Sequence, residues 1–164
     1  MSRLDSAIRR LQAQRACLDW AVGEIAGQGG PVLELGLGNG RTFDHLRARL
    51  PEREIFVFER EVAAHPDCIP DDDHLLLGDF HDSLPGALGR IGARAALAHC
   101  DIGSGDRALT ARLAAFVGPA LAPILAPGAV VVADQPLQIP RGRSVSLPDG
   151  VAPGRYHLYR MSTA

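Results

Sequence analysis

Apolar residues recur along this chain in two rhythms. At the N-terminus Leu4, Ile8, Leu11, Leu18, Val22 and Ile25 fall three, four or seven positions apart, on one face of a helical period. That spacing predicts a long amphipathic helix over residues 2–26, with Ser2 as its N-cap and Gly29-Gly30 as its stop. Further on, the rhythm changes to short, continuously apolar runs at 32–35, 55–59, 74–77, 95–101 and 129–134. Between them lie helix-like segments at 43–50, 84–90 and 106–125, the last expected to kink at Pro119 and Pro123. Such strands alternating with helices describe a parallel sheet covered on both faces. Beyond residue 134 the chain becomes rich in Pro and Gly. A strand over 144–147, a turn at Pro148-Asp149-Gly150 and a last strand over 156–161 read as an antiparallel hairpin on the sheet edge. The fold expected is an α/β three-layer sandwich with a mostly parallel sheet. It forms one domain over 1–164, with an N-terminal helix in 1–30, an α/β core in 31–134 and a loop and hairpin in 135–164.

Composition narrows the picture only a little. With 164 residues the chain can bury an ordinary core, and 46% apolar and 22% charged residues are those of a soluble globular protein. A net charge of −2 provides no global field to recruit nucleic acid or an anionic membrane. Cys17, Cys68 and Cys100 are scattered and form no C-x-x-C pair, as expected of free thiols in a reducing compartment. Neither a signal-peptide core nor an apolar run long enough to span a bilayer is present, so a cytoplasmic location is expected. The apolar stripe of the first helix, or the hairpin edge, offers a surface for homo-oligomerisation.

The chemistry concentrates in Val32-Leu33-Glu34-Leu35-Gly36-Leu37-Gly38-Asn39-Gly40. Three glycines at alternate positions between a strand and a helix let backbone N–H groups face a ligand at close range. About twenty residues on, the strand 55–59 ends in Glu59, placed to accept hydrogen bonds from ribose hydroxyls. Together these read as a nucleoside site. Acids stand at or beside the ends of all five core strands: Glu34, Glu59, Asp79, Asp101 and Asp134. In an open parallel sheet ligands bind beyond that edge. Asp79 is also a good helix N-cap, and Trp20 reads as core packing. The run Asp71-Asp72-Asp73 reads as a hydrated turn.

The spacing Gly36-x-Gly38-x-Gly40 behind Glu34, with Glu59 following, resembles motif I of the class I S-adenosylmethionine-dependent methyltransferases. The resemblance runs from Val32 to the hairpin, and it implies a Rossmann-like fold and S-adenosylmethionine as cofactor. It places Glu34 and the glycine turn near the methionine part, Glu59 on the ribose, Asp79 on the adenine amino group and Phe80 beside the ring. The cofactor-binding set implied is Glu34, Gly36, Leu37, Gly38, Asn39, Gly40, Glu59, Arg60, Gly78, Asp79, Phe80 and Asp101. Arg60, next to Glu59, also reads as solvated. Asp101 and His99, which share a strand face, are the candidates on the acceptor side, with His81 a further one and His99 also readable as a core histidine. Asp101 with Asp134-Gln135 partly resembles the metal ligands of catechol-type O-methyltransferases, but Gln135 stands where that pattern has Asn, and no metal is expected. The activity expected is methyl transfer to a small molecule. Other readings are a nicotinamide-dependent oxidoreductase, which needs a different glycine spacing, and a non-catalytic module that binds the cofactor. The arginines at 141, 143, 155 and 160 give the tail a positive bias that could meet an acidic substrate.

Overall fold

The apolar runs form seven strands: β1 Val32–Leu35, β2 Ile55–Glu59, β3 Leu75–Leu77, β4 Ala95–Cys100, β5 Leu125–Ala133, β6 Gly142–Val145 and β7 His157–Met161. The computed structural model describes residues 2–163. One sheet holds all seven strands in the order β3-β2-β1-β4-β5-β7-β6. The first five are parallel, and β7 runs antiparallel to both β5 and β6. Strand order reverses between β1 and β4, so the loops leaving these neighbours diverge and open a crevice at their carboxyl ends.

Helices cover both faces, as continuously apolar strands require. On one side α1 (Arg3–Glu24) and α2 (Arg41–Arg49) pack Cys17, Leu18, Phe43 and Leu46 against Val32, Val57, Leu97 and Val132. On the other, α3 (Phe80–Ser83), α4 (Ala87–Ile91) and α5 (Arg107–Leu121) bury Leu84, Ile91, Val117 and Leu121 against Leu33, Phe58, Ala98 and Val131. The sandwich and its terminal hairpin are those expected from the sequence.

Several boundaries differ. Helix α1 begins with Ser2 in a reciprocal capping box with Asp5, but it ends at Glu24, ahead of Gly29-Gly30. Only its second half reaches the sheet, so Leu4, Ile8 and Leu11 of the apolar stripe remain exposed. Helix α5 stops at Leu121, and Pro123 falls in a separate 3₁₀ turn, Ala122–Ile124. Strand β5 then starts at Leu125, four residues earlier than expected, and runs through Pro127 and Gly128 where its register against β4 shifts. Strand β6 also lies two residues earlier, fixed by pairing Val145 with Leu158. Among the described residues, no helix is long and apolar enough to cross a membrane.

Candidate functional site

The glycine turn follows β1, whose residues are all buried. At Gly36 a side chain is impossible: φ is 88°, and a Cβ would lie 2.3 Å from the Asp101 carbonyl oxygen. The turn is therefore pressed against the end of β4. Gly38, at φ 52°, is the opposite case, because a Cβ there would meet no protein atom within 4 Å. The space above it is open. Gly40 is the N-cap of α2 and packs against Cys68, while Asn39 is exposed and accepts from the Arg41 N–H.

Glu59 ends β2 beside this turn, and its carboxylate is drawn onto it. One oxygen accepts from the N–H groups of Leu37 (2.7 Å) and Gly38 (3.2 Å). The other accepts from Arg60 (2.7 Å) and Glu61 (3.3 Å). Convergent backbone N–H groups favour a negative charge, and here the chain supplies that charge itself.

Across the crevice, Asp79 does cap α3. Its Oδ1 accepts from the His81 N–H (2.9 Å) and from the His81 ring (2.6 Å). The backbone N–H first, then the ring, lower the Asp79 pKa below the ordinary carboxylate value. His81 in turn stacks on Phe116 of α5, with ring centroids 4.0 Å apart. The far wall is the segment after β4. Asp134, at the end of β5, holds it by accepting from Ile102 N–H (3.0 Å) and Gly103 N–H (2.9 Å), with Gln135 bonding its second oxygen (3.1 Å). Burial raises the Asp134 pKa against the lowering effect of these bonds. Ser104 is fixed by the buried Thr110 hydroxyl, which accepts from its N–H at 3.0 Å.

These walls enclose a cavity of about 320 Å³ between the ends of β1, β2, β3 and β4, within the range of small-molecule sites. Another cleft of about 360 Å³ lies at the opposite end of the strands, by Pro51 and Glu54, away from these acids. Of the residues singled out from the sequence, Gly36, Gly38, Glu59, Arg60, Gly78, Asp79, Phe80 and Asp101 line the 320 Å³ cavity. Leu37 contributes its N–H to Glu59 from a buried position, and Asn39 and Gly40 lie in the turn but outside the lining. Ile102, Gly103, Ser104, Leu109, Thr110 and Leu113 complete the wall, and only tertiary structure reveals which flank of α5 faces inward.

Glu34 and His99 sit one layer behind. They are cross-strand partners on β1 and β4, both fully buried, and His99 Nδ1 donates to Glu34 at 2.9 Å. The Thr42 hydroxyl donates to the other Glu34 oxygen. An unpartnered carboxylate there would cost several kcal/mol, which these two donors offset. Burial pulls the His99 pKa down, but the Glu34 charge and hydrogen bond, with Asp101 and Asp134 further away, more than offset it, leaving the value raised. His99 Nε2 and the hydroxyl of Tyr156, whose rings lie nearly parallel 6.4 Å apart, are buried and, among the described residues, without a partner. Asp101, two residues beyond His99, reaches the cavity and accepts from the amide of Gln14 on α1 at 3.2 Å. Asp101 and Asp134 do not converge on a common point with a third ligand: among the described residues no group of three or more His, Cys, Asp or Glu could hold a metal ion.

Comparison with known proteins identifies the family. A family model described as S-adenosyl-L-methionine methyltransferase matches residues 1–161. The crystal structure of an S-adenosyl-L-methionine methyl transferase from Silicibacter pomeroyi superposes with a TM-score of 0.92 at 45% identity, covering 99% of both chains. CalS10 of Micromonospora echinaspora, an amino pentose methyltransferase solved with S-adenosylmethionine bound, shares the fold at a TM-score of 0.52 and 17% identity, over 99% of this chain and 84% of its own. An O-methyltransferase family protein from Burkholderia thailandensis does so at 0.53 and 12%, over 98% and 59%. No curated protein matches the sequence. Neither these matches nor the geometry supports a nicotinamide-dependent oxidoreductase. The open space above Gly38, faced by Glu59, suits the cofactor. The chain belongs to the S-adenosyl-L-methionine methyltransferase family, and its cofactor is S-adenosylmethionine.

Proposed function

We propose that the chain transfers the methyl group of S-adenosylmethionine to a small polar acceptor at the carboxyl end of β4, beneath α1. The observation that carries this reading is the meeting of Gly36, Gly38, Glu59, Asp79 and Asp101, from four separate strand ends, around one cavity. In the proposed arrangement Glu59 binds the ribose hydroxyls, and Asp79 with Phe80 binds the adenine. Leu109 and Leu113 of α5 close on the ring's other side. The Gly36–Gly38 turn and Asp101 border the methionine part.

S-adenosylmethionine supplies a methyl group on a sulfonium, which is already electrophilic. The protein's work is therefore placement, which alone can lower a barrier by several kcal/mol. A hydroxyl or amine acceptor must also lose a proton, and Asp101 is the carboxylate lining the cavity on the acceptor side. Its bond from Gln14 fixes the orientation of that carboxylate and ties α1 to the site. His99 is fully buried and bonded to Glu34, so we assign it a positioning role: it holds Glu34, which in turn anchors Thr42 at the start of α2.

Calorimetric titration tests the cofactor half directly. S-adenosylmethionine and S-adenosylhomocysteine should bind with micromolar affinity, NAD⁺ should not, and added Mg²⁺ should change nothing. Binding of both sulfur compounds unaffected by Glu59→Ala and Asp79→Ala together would remove this cavity as the cofactor site.

A further inference from the structure

Helix α1 and the 149–155 segment enclose another cavity, of about 520 Å³. Arg9 and Arg15 line it from the helix and Arg155 from the facing segment, and among the described residues Asp149 is the one acid in its lining. Among the described residues none of these three guanidinium groups makes a hydrogen bond or ion pair. Five other arginines are bonded, Arg47 to Asp44, Arg49 to Asp19, Arg160 to Glu24, and Arg53 and Arg90 to backbone carbonyls; what sets these three apart from the remaining unpaired ones is that they line one groove. A chain of net charge −2 has thus gathered three unneutralised cations around one concave space. Their mutual repulsion is relieved when an anion enters, and the planar guanidinium fork suits the oxygens of carboxylate and phosphate.

The two elements that form the cavity also carry residues of the site. The cavity residues Gln12 and Ala13 directly precede Gln14, whose amide holds Asp101. Arg155 directly precedes Tyr156, whose buried hydroxyl lacks a partner among the described residues and whose ring lies nearly parallel to that of His99.

We propose that this groove binds a carboxylate or phosphate group of the methyl acceptor, which makes the substrate a small organic anion. The inference rests on methyl transfer taking place at Asp101. It is tested on the full chain at low ionic strength by amide NMR titration with inorganic phosphate and, separately, citrate. Wild type is compared with the Arg9→Gln/Arg155→Gln double variant, and each sample is also titrated with S-adenosylhomocysteine. The expected result is saturable shifts at Gln12, Gly150 and Arg155 in wild type. The double variant should bind the probes roughly tenfold more weakly or worse, with unchanged affinity for S-adenosylhomocysteine. Shifts that do not saturate, or that persist equally in the double variant, overturn the anion site. If the cofactor binds while the groove stays silent, this inference falls and the cofactor reading stands. If the groove responds but no cofactor binds, the anion site stands and its assignment to a methyl acceptor falls.

Discussion

Replacing Glu59 by alanine removes the group on which the proposed cofactor site turns. A carboxylate has about four acceptor positions, and at Glu59 all four are approached by backbone N–H groups. Two bonds are short at 2.7 Å, to Leu37 and Arg60, and two are long, to Gly38 at 3.2 Å and Glu61 at 3.3 Å. Ribose hydroxyls arriving at this carboxylate would displace the long pair and leave the short pair intact. A hydrogen bond to a charged group is worth about 1.5–3 kcal/mol. Since the displaced bonds are weak and their donors, Gly38 and Glu61, are exposed to water, the net loss on mutation should correspond to one such bond. That is roughly a tenfold to a hundredfold rise in Kd for S-adenosylmethionine and S-adenosylhomocysteine. The glycine turn also loses its anchor, so the variant should melt at a lower temperature. Calorimetry at a temperature well below the transition separates the two effects. An unchanged Kd in a folded variant would show that Glu59 serves the turn alone and would refute the ribose assignment.

Gly38→Val should leave the far-ultraviolet circular dichroism native while eliminating detectable binding of S-adenosylhomocysteine, because the new side chain enters the cavity and not the protein interior. A strain of about 1–2 kcal/mol accompanies the positive φ, and normal binding by this variant would mean that no ligand lies over the turn. Asp134→Asn turns one acceptor into a donor facing the N–H groups of Ile102 and Gly103. Urea denaturation should register a loss of about 1–3 kcal/mol and the cofactor should bind more weakly through a loosened wall, whereas wild-type behaviour in both would contradict the latch. The raised His99 pKa makes its pairing with Glu34 pH-dependent. The stabilisation should be complete below the ordinary histidine value of 6.5 and should be lost as pH rises through the higher folded-state value. Imidazole NMR and the pH dependence of the stability gap between wild type and His99→Asn check this, and a gap that widens with rising pH would contradict it.

The strands and their acidic ends were legible because buried parallel strands leave continuous apolar runs, and because ligand-facing groups gather at one edge. The start of β5 is not legible in the same way. Pro127 and Gly128 look like a break, yet β5 carries them at the point where its register against β4 shifts, and only pairing tolerates them. The four-residue α3 was hidden for a different reason: it has no period to detect, and Asp79 reads as a strand end as readily as a cap. Glu34 and His99 could each be named, but not their bond, which joins residues 65 positions apart. The α5 side of the cavity was silent because Leu109 and Leu113 are ordinary helix residues. What makes them wall is the latch from Asp134 to the segment before them.

The most direct measurement is a crystal structure of the protein with S-adenosylhomocysteine. The ligand should fill the 320 Å³ cavity, with its ribose hydroxyls within hydrogen-bonding distance of Glu59, its adenine beside Phe80 and its sulfur end toward Asp101. Density for the ligand in another cavity, with Glu59 still bonded only to the backbone of its own turn, would contradict the account.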